Sequence, residues 1–259
     1  MTKESLGNRV INCKKYADDI LNSISGDGCL AIISVGENAA SGAYMRGKQR
    51  DCERVDFCCI RHNFEDGTPQ KVIIDTINIL NMDNRVTGII IQLPLPKSYD
   101  EDYLTSLVCP EKDVDGFVAR SLFKPCTPEG VTYIAEQEIG DLTGKNVVII
   151  GRGKLVGRPL VQMMIDKNAT VSICHSKTPQ DVIKRLTETA DVIVVATGTP
   201  EKWRFNNPNA IVIDCGINRN EEGRLVGDVA YTPGRCTPVP SGVGLMTRAM
   251  LMKHVERKR

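Results

Sequence analysis

Short apolar runs alternate with longer amphipathic stretches along most of the chain. Cys29–Val35, Cys58–Phe64 and Val86–Gln92 read as strands, with helical patterns near Ser41–Val55 and Thr68–Met82 between them. A serine in cap position opens the first of these helices and Thr-Pro the second. A second series starts after the punctuated segment Lys124-Pro125-Cys126-Thr127-Pro128-Glu129-Gly130. Its strands are Asn146–Ile150, Ala169–Cys174, Asp191–Ala196 and Ala210–Cys215, and its helices lie near Val156–Lys167 and Thr178–Thr189. Alternation of this kind requires parallel sheets covered by helices, so the expected fold class is α/β. The break between the series falls around residues 118–128, and a final helical pattern, Gly244–Arg259, follows a Pro/Gly-rich stretch.

The length of 259 residues fits two domains. Charge adds an exclusion: 33 Lys and Arg stand against 32 Asp and Glu, so no global field draws in nucleic acid or an anionic membrane. The basic tail Lys253–Arg259 reads as a solvated helix end. Met1–Asn12 lacks the apolar run of a signal peptide, and no stretch elsewhere is long enough to span a bilayer. The ten cysteines contain no C-x-x-C pair and have only three histidines beside them, which argues against a zinc site. Most lie in strand-like apolar contexts, where a free thiol behaves as a small hydrophobe, and a reducing cytoplasm is the simplest setting.

Candidate chemistry appears first where Asn146–Ile150 runs into Gly151-Arg152-Gly153-Lys154-Leu155-Val156-Gly157-Arg158-Pro159. A glycine-rich turn from strand to helix lets the backbone approach a pyrophosphate, and the helix N-terminus supplies free N–H groups. The spacing, G-x-G-x-x-x-G, is one residue longer than the usual dinucleotide fingerprint. NAD binders carry an acid near the end of the next strand. Here that strand ends in Cys174-His175-Ser176-Lys177, and Ser176, Lys177 and Arg152 are suited to a 2′-phosphate, pointing to NADP.

In the first half, Tyr44 and Lys48 stand four apart on a predicted helix and share a face. The third strand ends in Gln92-Leu93-Pro94-Leu95-Pro96, which leaves Gln92 at the carboxyl edge, where open α/β sheets bind ligands. Lys112-Asp113-Val114-Asp115-Gly116 follows as a charged turn. With Ser41, Pro125–Gly130, Gly151–Pro159 and Thr237–Thr247, these motifs form an ordered set that resembles the methylenetetrahydrofolate dehydrogenase/cyclohydrolase family over nearly the whole chain.

That resemblance implies an N-terminal three-layer α/β catalytic domain, residues 1–120, completed by a returning helix, 244–259. It also implies an NADP-binding Rossmann domain, 121–243, facing the first across a folate cleft. Lys48 becomes the catalytic lysine and Gln92 its partner, and Tyr44 joins them as a catalytic residue that also lines the pterin site. Asp115 binds the pterin edge, and Leu93, Pro94 and Gly242 complete the substrate side. The cofactor side comprises Gly151, Arg152, Gly153, Val156, Gly157, His175, Ser176, Lys177, Thr197, Gly198 and Ile217. The implied enzyme oxidises 5,10-methylenetetrahydrofolate with NADP⁺ and hydrolyses the methenyl product to 10-formyltetrahydrofolate, without a metal, as a cytoplasmic homodimer.

Four features depart from the family pattern: Gly153 replaces a common serine, Ser241 a glycine and Leu245 a proline, and Val118–Lys124 is short. A short-chain dehydrogenase also uses Y-x-x-x-K, but there the glycine loop precedes the pair, the reverse of the order here. A shikimate-dehydrogenase-like enzyme leaves Gln92–Pro96 and Lys112–Gly116 unexplained. An inactive folate- or NADP-binding homologue is the remaining alternative, and intact Lys48, Gln92 and Asp115 argue against it.

Overall fold

The computed structural model describes residues 10–36 and 39–257. In chain order the elements are α1 (Cys13–Asn22), β1 (Cys29–Val35), α2 (Ala39–Arg54), β2 (Cys58–Phe64), α3 (Gln70–Met82), β3 (Gly88–Ile91), α4 (Glu101–Ser106), α5 (Cys126–Ile139), β4 (Asn146–Ile150) and α6 (Gly157–Ile165). They continue with β5 (Thr170–Cys174), α7 (Gln180–Glu188), β6 (Val192–Val195), β7 (Trp203–Arg204), β8 (Ile211–Asp214), β9 (Asn218–Arg219), β10 (Leu225–Val226), β11 (Val229–Tyr231), β12 (Arg235–Cys236) and α8 (Val243–Val255). Two compact units result. One comprises 18–126 and 248–259, the other 1–17 and 127–247.

The first unit holds a parallel three-stranded sheet in the order β2-β1-β3. Its central strand, Cys-Leu-Ala-Ile-Ile-Ser-Val, is buried at every position, as a strand covered on both faces must be. One face packs on α3, whose Ile73, Ile77 and Leu80 recur at helical spacing and join Ala31, Ile33, Ile89 and Ile91 in one core. Toward the other face, Cys52 of α2 meets Met252 of α8 with 3.7 Å between sulfurs. The unit is therefore three-layered. Asp100 caps α4 by accepting from the Tyr103 amide at 2.9 Å.

The second unit is built on five parallel strands in the order β12-β8-β6-β4-β5. The runs Val147–Ile150, Val192–Val195 and Ile211–Asp214 are wholly buried. Edge strand β5 is only partly so. Because β4 is flanked by β5 on one side and β6 on the other, the order reverses at β4, which is where open α/β sheets place a ligand.

Several expectations need correction. Ser41 does not cap its helix, since α2 already begins at Ala39; its side chain lies outside the described residues, as do residues 1–9 of the N-terminal segment and the last two of the basic tail. The third strand is shorter than Val86–Gln92 and runs Gly88–Ile91: the Val86 amide closes a turn on the Asp83 carbonyl at 3.0 Å, and Gln92 keeps only its amide's hydrogen bond to the Ile33 carbonyl at 2.8 Å. The punctuated Pro125–Gly130 is helical from Cys126, with Pro128 in the first turn, where a missing N–H costs nothing. Among the described residues no helix is long and apolar enough to cross a membrane.

Candidate active and dinucleotide sites

Lys48, Tyr44, Gln92 and Asp115 belong to the first unit, and the fold draws them together. Spacing along α2 sets Lys48 Nζ 5.1 Å from the centroid of the Tyr44 ring, so the amine lies against that ring. From the end of β3, Gln92 Oε1 accepts a hydrogen bond from Lys48 Nζ at 3.1 Å. The Gln92 amide in turn donates to the Leu93 carbonyl at 2.9 Å, which fixes its oxygen toward the lysine. Lys48 is only 3% exposed. Burial holds its pKa below the ordinary lysine value, against the opposing pull of Asp115.

Asp115 is driven the other way: desolvation raises its carboxyl, and the nearby Lys48 charge partly restores it. A neutral amide, rather than a carboxylate, is the direct partner of the lysine. The geometry therefore favours a lysine able to act as a free amine. Leu93 and exposed Pro94 follow Gln92 on the same loop.

Other residues of the Lys112–Gly116 turn are architectural. Lys112 Nζ donates to the carbonyls of Leu80 and Asp83 at 2.8 Å each, closing the C-terminal end of α3. Buried Asp113 accepts from the Val118 amide at 2.7 Å. Gly116 has φ +76°, and a Cβ there would crowd the Lys124 carbonyl, so this turn requires glycine. His254 Nδ1 lies 2.8 Å from the Val114 carbonyl and anchors the turn to α8.

In the second unit, the predicted cofactor positions line the carboxyl ends of β4, β5, β6 and β8. Gly151, at φ +121°, lies so close to the Ala196 carbonyl that any Cβ would overlap it. Gly157 packs equally closely on the Gly151 carbonyl. These two glycines bring the loop onto the sheet and turn it into α6. Gly153 differs: nothing lies within 4 Å of where its Cβ would be, so a serine fits there as well. Val156 stands at the N-cap of α6 without a side-chain cap, while Arg152, Ser176 and Lys177 are exposed.

His175 organises its own turn, its amide donating to Thr178 Oγ1 at 3.0 Å and its Nδ1 accepting from the Lys177 amide at 3.2 Å. Ile217 is 59% exposed beyond β8. Close-packed glycines, a helix N-terminus and a β5 end, Cys174–Lys177, without a carboxylate fit a dinucleotide carrying a 2′-phosphate. Gly242 belongs to this second unit and is buried against the Pro238 carbonyl, where a Cβ would collide. The adjacent Ser241 has φ 74°, which accounts for the glycine that this position holds in the family pattern.

Two domains of one family match the chain. The catalytic domain of tetrahydrofolate dehydrogenase/cyclohydrolase covers residues 7–115, and the NAD(P)-binding domain of the same enzymes covers 125–258. The chain belongs to the tetrahydrofolate dehydrogenase/cyclohydrolase family. It is thus an enzyme of folate one-carbon chemistry, and the shikimate-dehydrogenase-like reading falls away.

Within this family the chain is 43% identical over 241 residues to bifunctional protein FolD 2 of Myxococcus xanthus, covering 87% of this chain and 83% of that one. It is 42% identical over 239 residues to bifunctional protein FolD of Bacillus cytotoxicus, covering 86% and 83%. Among solved structures, the bifunctional FolD dehydrogenase/cyclohydrolase of Campylobacter jejuni matches with a TM-score of 0.86 and 36% identity over 95% of this chain and 96% of that one. The Trypanosoma brucei enzyme, solved with NADP cofactor and inhibitor, matches with a TM-score of 0.85 and 28% identity over 95% of each chain.

Sequence reasoning missed the acids that support both sites. Asp228, wholly buried, accepts at Oδ2 from the Thr197 amide (2.7 Å), Thr197 Oγ1 (2.9 Å) and the Gly198 amide (2.9 Å). Its Oδ1 accepts from Asn218 Nδ2 at 2.8 Å. Asp214 accepts from the Gly216, Asp228 and Val229 amides. A carboxylate closing the apolar run Ile211–Asp214 is a readable signal, whereas Asp228 has none. Asp51 and Arg248, described below, also went unread.

Proposed function

We propose that this family member oxidises 5,10-methylenetetrahydrofolate with NADP⁺ at one site and hydrolyses the methenyl product there, with Lys48 as the proton-transfer group. The observation carrying the proposal is the buried Lys48 amine held at 3.1 Å by a neutral glutamine. When bound, NADP⁺ supplies the nicotinamide that accepts the hydride. In this assignment Arg152, Ser176 and Lys177 meet its 2′-phosphate, and Thr197, Gly198 and Ile217 border it with the Gly151–Gly157 loop.

The oxidation asks the protein chiefly for alignment. Tyr44 lines the pterin, and Asp115 takes its amino and ring N–H donors in a two-point contact. In the hydrolysis, water adds to the methenyl carbon while Lys48 Nζ takes the water proton. The carbon–nitrogen bond at N5 then breaks, and N5 receives a proton as the 10-formyl product forms. A cationic methenyl substrate adds a like charge beside Lys48 and further favours the free amine. Gln92 holds that amine in place without stabilising its ammonium form as a carboxylate would.

Working as a cytoplasmic homodimer without nucleic-acid or membrane partners is part of the proposal, supported by the near-even charge and by ten unbridged cysteines. The decisive test is Lys48→Gln in a coupled assay. Loss of a placed proton-transfer group costs on the order of 10²–10⁴-fold in hydrolysis. Methenyltetrahydrofolate should therefore accumulate while oxidation continues at reduced rate. A variant that loses oxidation but keeps hydrolysis refutes the assignment.

A further inference from the structure

A second charged pair flanks the turn of α2 that carries Lys48. Three residues on, Asp51 is 7% exposed, and its carboxylate receives the Arg248 guanidinium of α8. Arg248 Nε lies 2.6 Å from Oδ2 and Nη2 3.4 Å from Oδ1, a two-point contact. The same guanidinium lies against Gly47, the residue before Lys48. A Cβ on Gly47 would overlap Arg248 Nη1. Glycine weakens a helix interior, so its presence in α2 has a local reason: the missing side chain is the space that the guanidinium fills.

A buried ion pair is weak grounds for stability, because desolvation offsets much of the attraction. Its position beside the catalytic amine suggests another role. Among the described residues, the groups facing Lys48 include Asp115 from the Lys112–Gly116 turn, Cys126 at the start of α5, Cys52 of α2, Cys59 of β2 and Arg248 of α8, with the Gln92 amide oxygen and the Tyr44 ring beside the amine. Asp115, and the thiols when ionised, favour an ammonium; Arg248 opposes it. The Asp51 carboxylate keeps the guanidinium in its seat.

We infer that Arg248, clamped by Asp51 and seated over Gly47, is a positioning residue that adds to burial in favouring the free amine of Lys48 and so shifts the pH at which hydrolysis becomes active. This deepens, and rests on, the reading of Lys48 as the proton-transfer group. Hydrolysis rises with pH as Lys48 loses its proton. Removing a neighbouring cation favours the ammonium and moves that rise to higher pH.

The test follows methenyltetrahydrofolate hydrolysis against pH, corrected for the uncatalysed reaction, with oxidation measured on the same preparations. Arg248→Met should move the acidic limb measurably to higher pH, lowering the rate on that limb, with little change in the plateau or in the folate KM. Gly47→Ala, which keeps both charges but displaces the guanidinium, should move it in the same direction and decides the matter if Arg248→Met does not fold. Arg248→Lys, retaining the charge, should keep the limb close to its wild-type position. Limbs of Arg248→Met and Gly47→Ala that coincide with wild type overturn the inference, as does an Arg248→Lys limb that moves with Arg248→Met. Lys48→Gln separates the levels: if it hydrolyses normally, the underlying reading fails too, whereas if it is inactive and the Arg248→Met limb stays put, only the positioning role fails.

Discussion

Asp228→Asn tests how the second unit holds the loops assigned to the cofactor. Four donors converge on this carboxylate, three on Oδ2 and one on Oδ1, and none of it reaches solvent. The substitution keeps shape and volume but converts one oxygen into an NH₂ donor. If the remaining oxygen serves the Thr197–Gly198 side, the new NH₂ faces the Asn218 Nδ2 donor. One charge-assisted hydrogen bond, worth about 1.5–3 kcal/mol, is then lost, and the other three weaken as the acceptor becomes neutral. Relief of repulsion with Asp214, whose pKa is raised mainly by burial and in smaller part by Asp228, returns a fraction. The net loss should be about 2–3 kcal/mol, a fall of roughly 4–12 °C in midpoint at about 2–4 °C per kcal/mol. Thermal unfolding reads this directly, and steady-state kinetics should show a raised KM for NADP⁺ with the folate KM nearly unchanged. A midpoint within about 1 °C of wild type, or an equal rise in both KM values, would refute this account of the network.

Two further variants probe the assigned ligand contacts. Arg152→Ala should raise the KM for NADP⁺ about tenfold or more while changing that for NAD⁺ little, consistent with loss of a charge-assisted phosphate contact; steady-state kinetics with each cofactor decides it, and a wild-type enzyme preferring NAD⁺ would overturn the assignment. Asp115→Ala should weaken folate binding about tenfold or more and leave NADP⁺ binding nearly intact by isothermal titration, since a two-point charged contact is removed; equal loss of both affinities would make Asp115 a structural residue.

The elements that were legible in the sequence are those whose signal is local. Cys29–Val35, Cys58–Phe64 and Asn146–Ile150 coincide with β1, β2 and β4 to the residue, the first and last as apolar runs and the second as a half-buried strand that alternates toward Phe64. Tyr44 and Lys48 could be paired from helical spacing alone. Where a boundary depended on what a side chain does in three dimensions, the pattern misled: Ser41 has the chemistry of a cap but stands inside α2, and Pro128 reads as a breaker but occupies a first turn that tolerates it. Helices α1, α4 and α5 passed unread: α4 is short and mostly polar, whereas α1, with Cys13, Ala17, Ile20 and Leu21, and α5, with Val131, Ile134 and Ala135, carry apolar residues at a helical spacing that was overlooked.

The same distinction explains which parts of the sites were hidden. Residues assigned to touch ligands sit in compact motifs, since a strand end or a tight loop delivers several of them together. Those that hold them come from distant positions: Arg248 lies 197 residues from Asp51, and Asp228 lies 31 from Thr197. Neither spacing has a period, and an arginine within Thr247–Val255 or an aspartate between Gly227 and Val229 looks like any surface charge in one dimension. Burial is what gives them meaning. A carboxylate withdrawn from water persists only where donors are already arranged around it: a guanidinium at Asp51, and two amides with two side chains at Asp228. In this chain those places lie one step behind the proposed contacts, Asp51 behind the lysine helix and Asp228 behind the Thr197–Gly198 loop. Substituting them should therefore shift pH profiles and cofactor KM values before it abolishes either reaction.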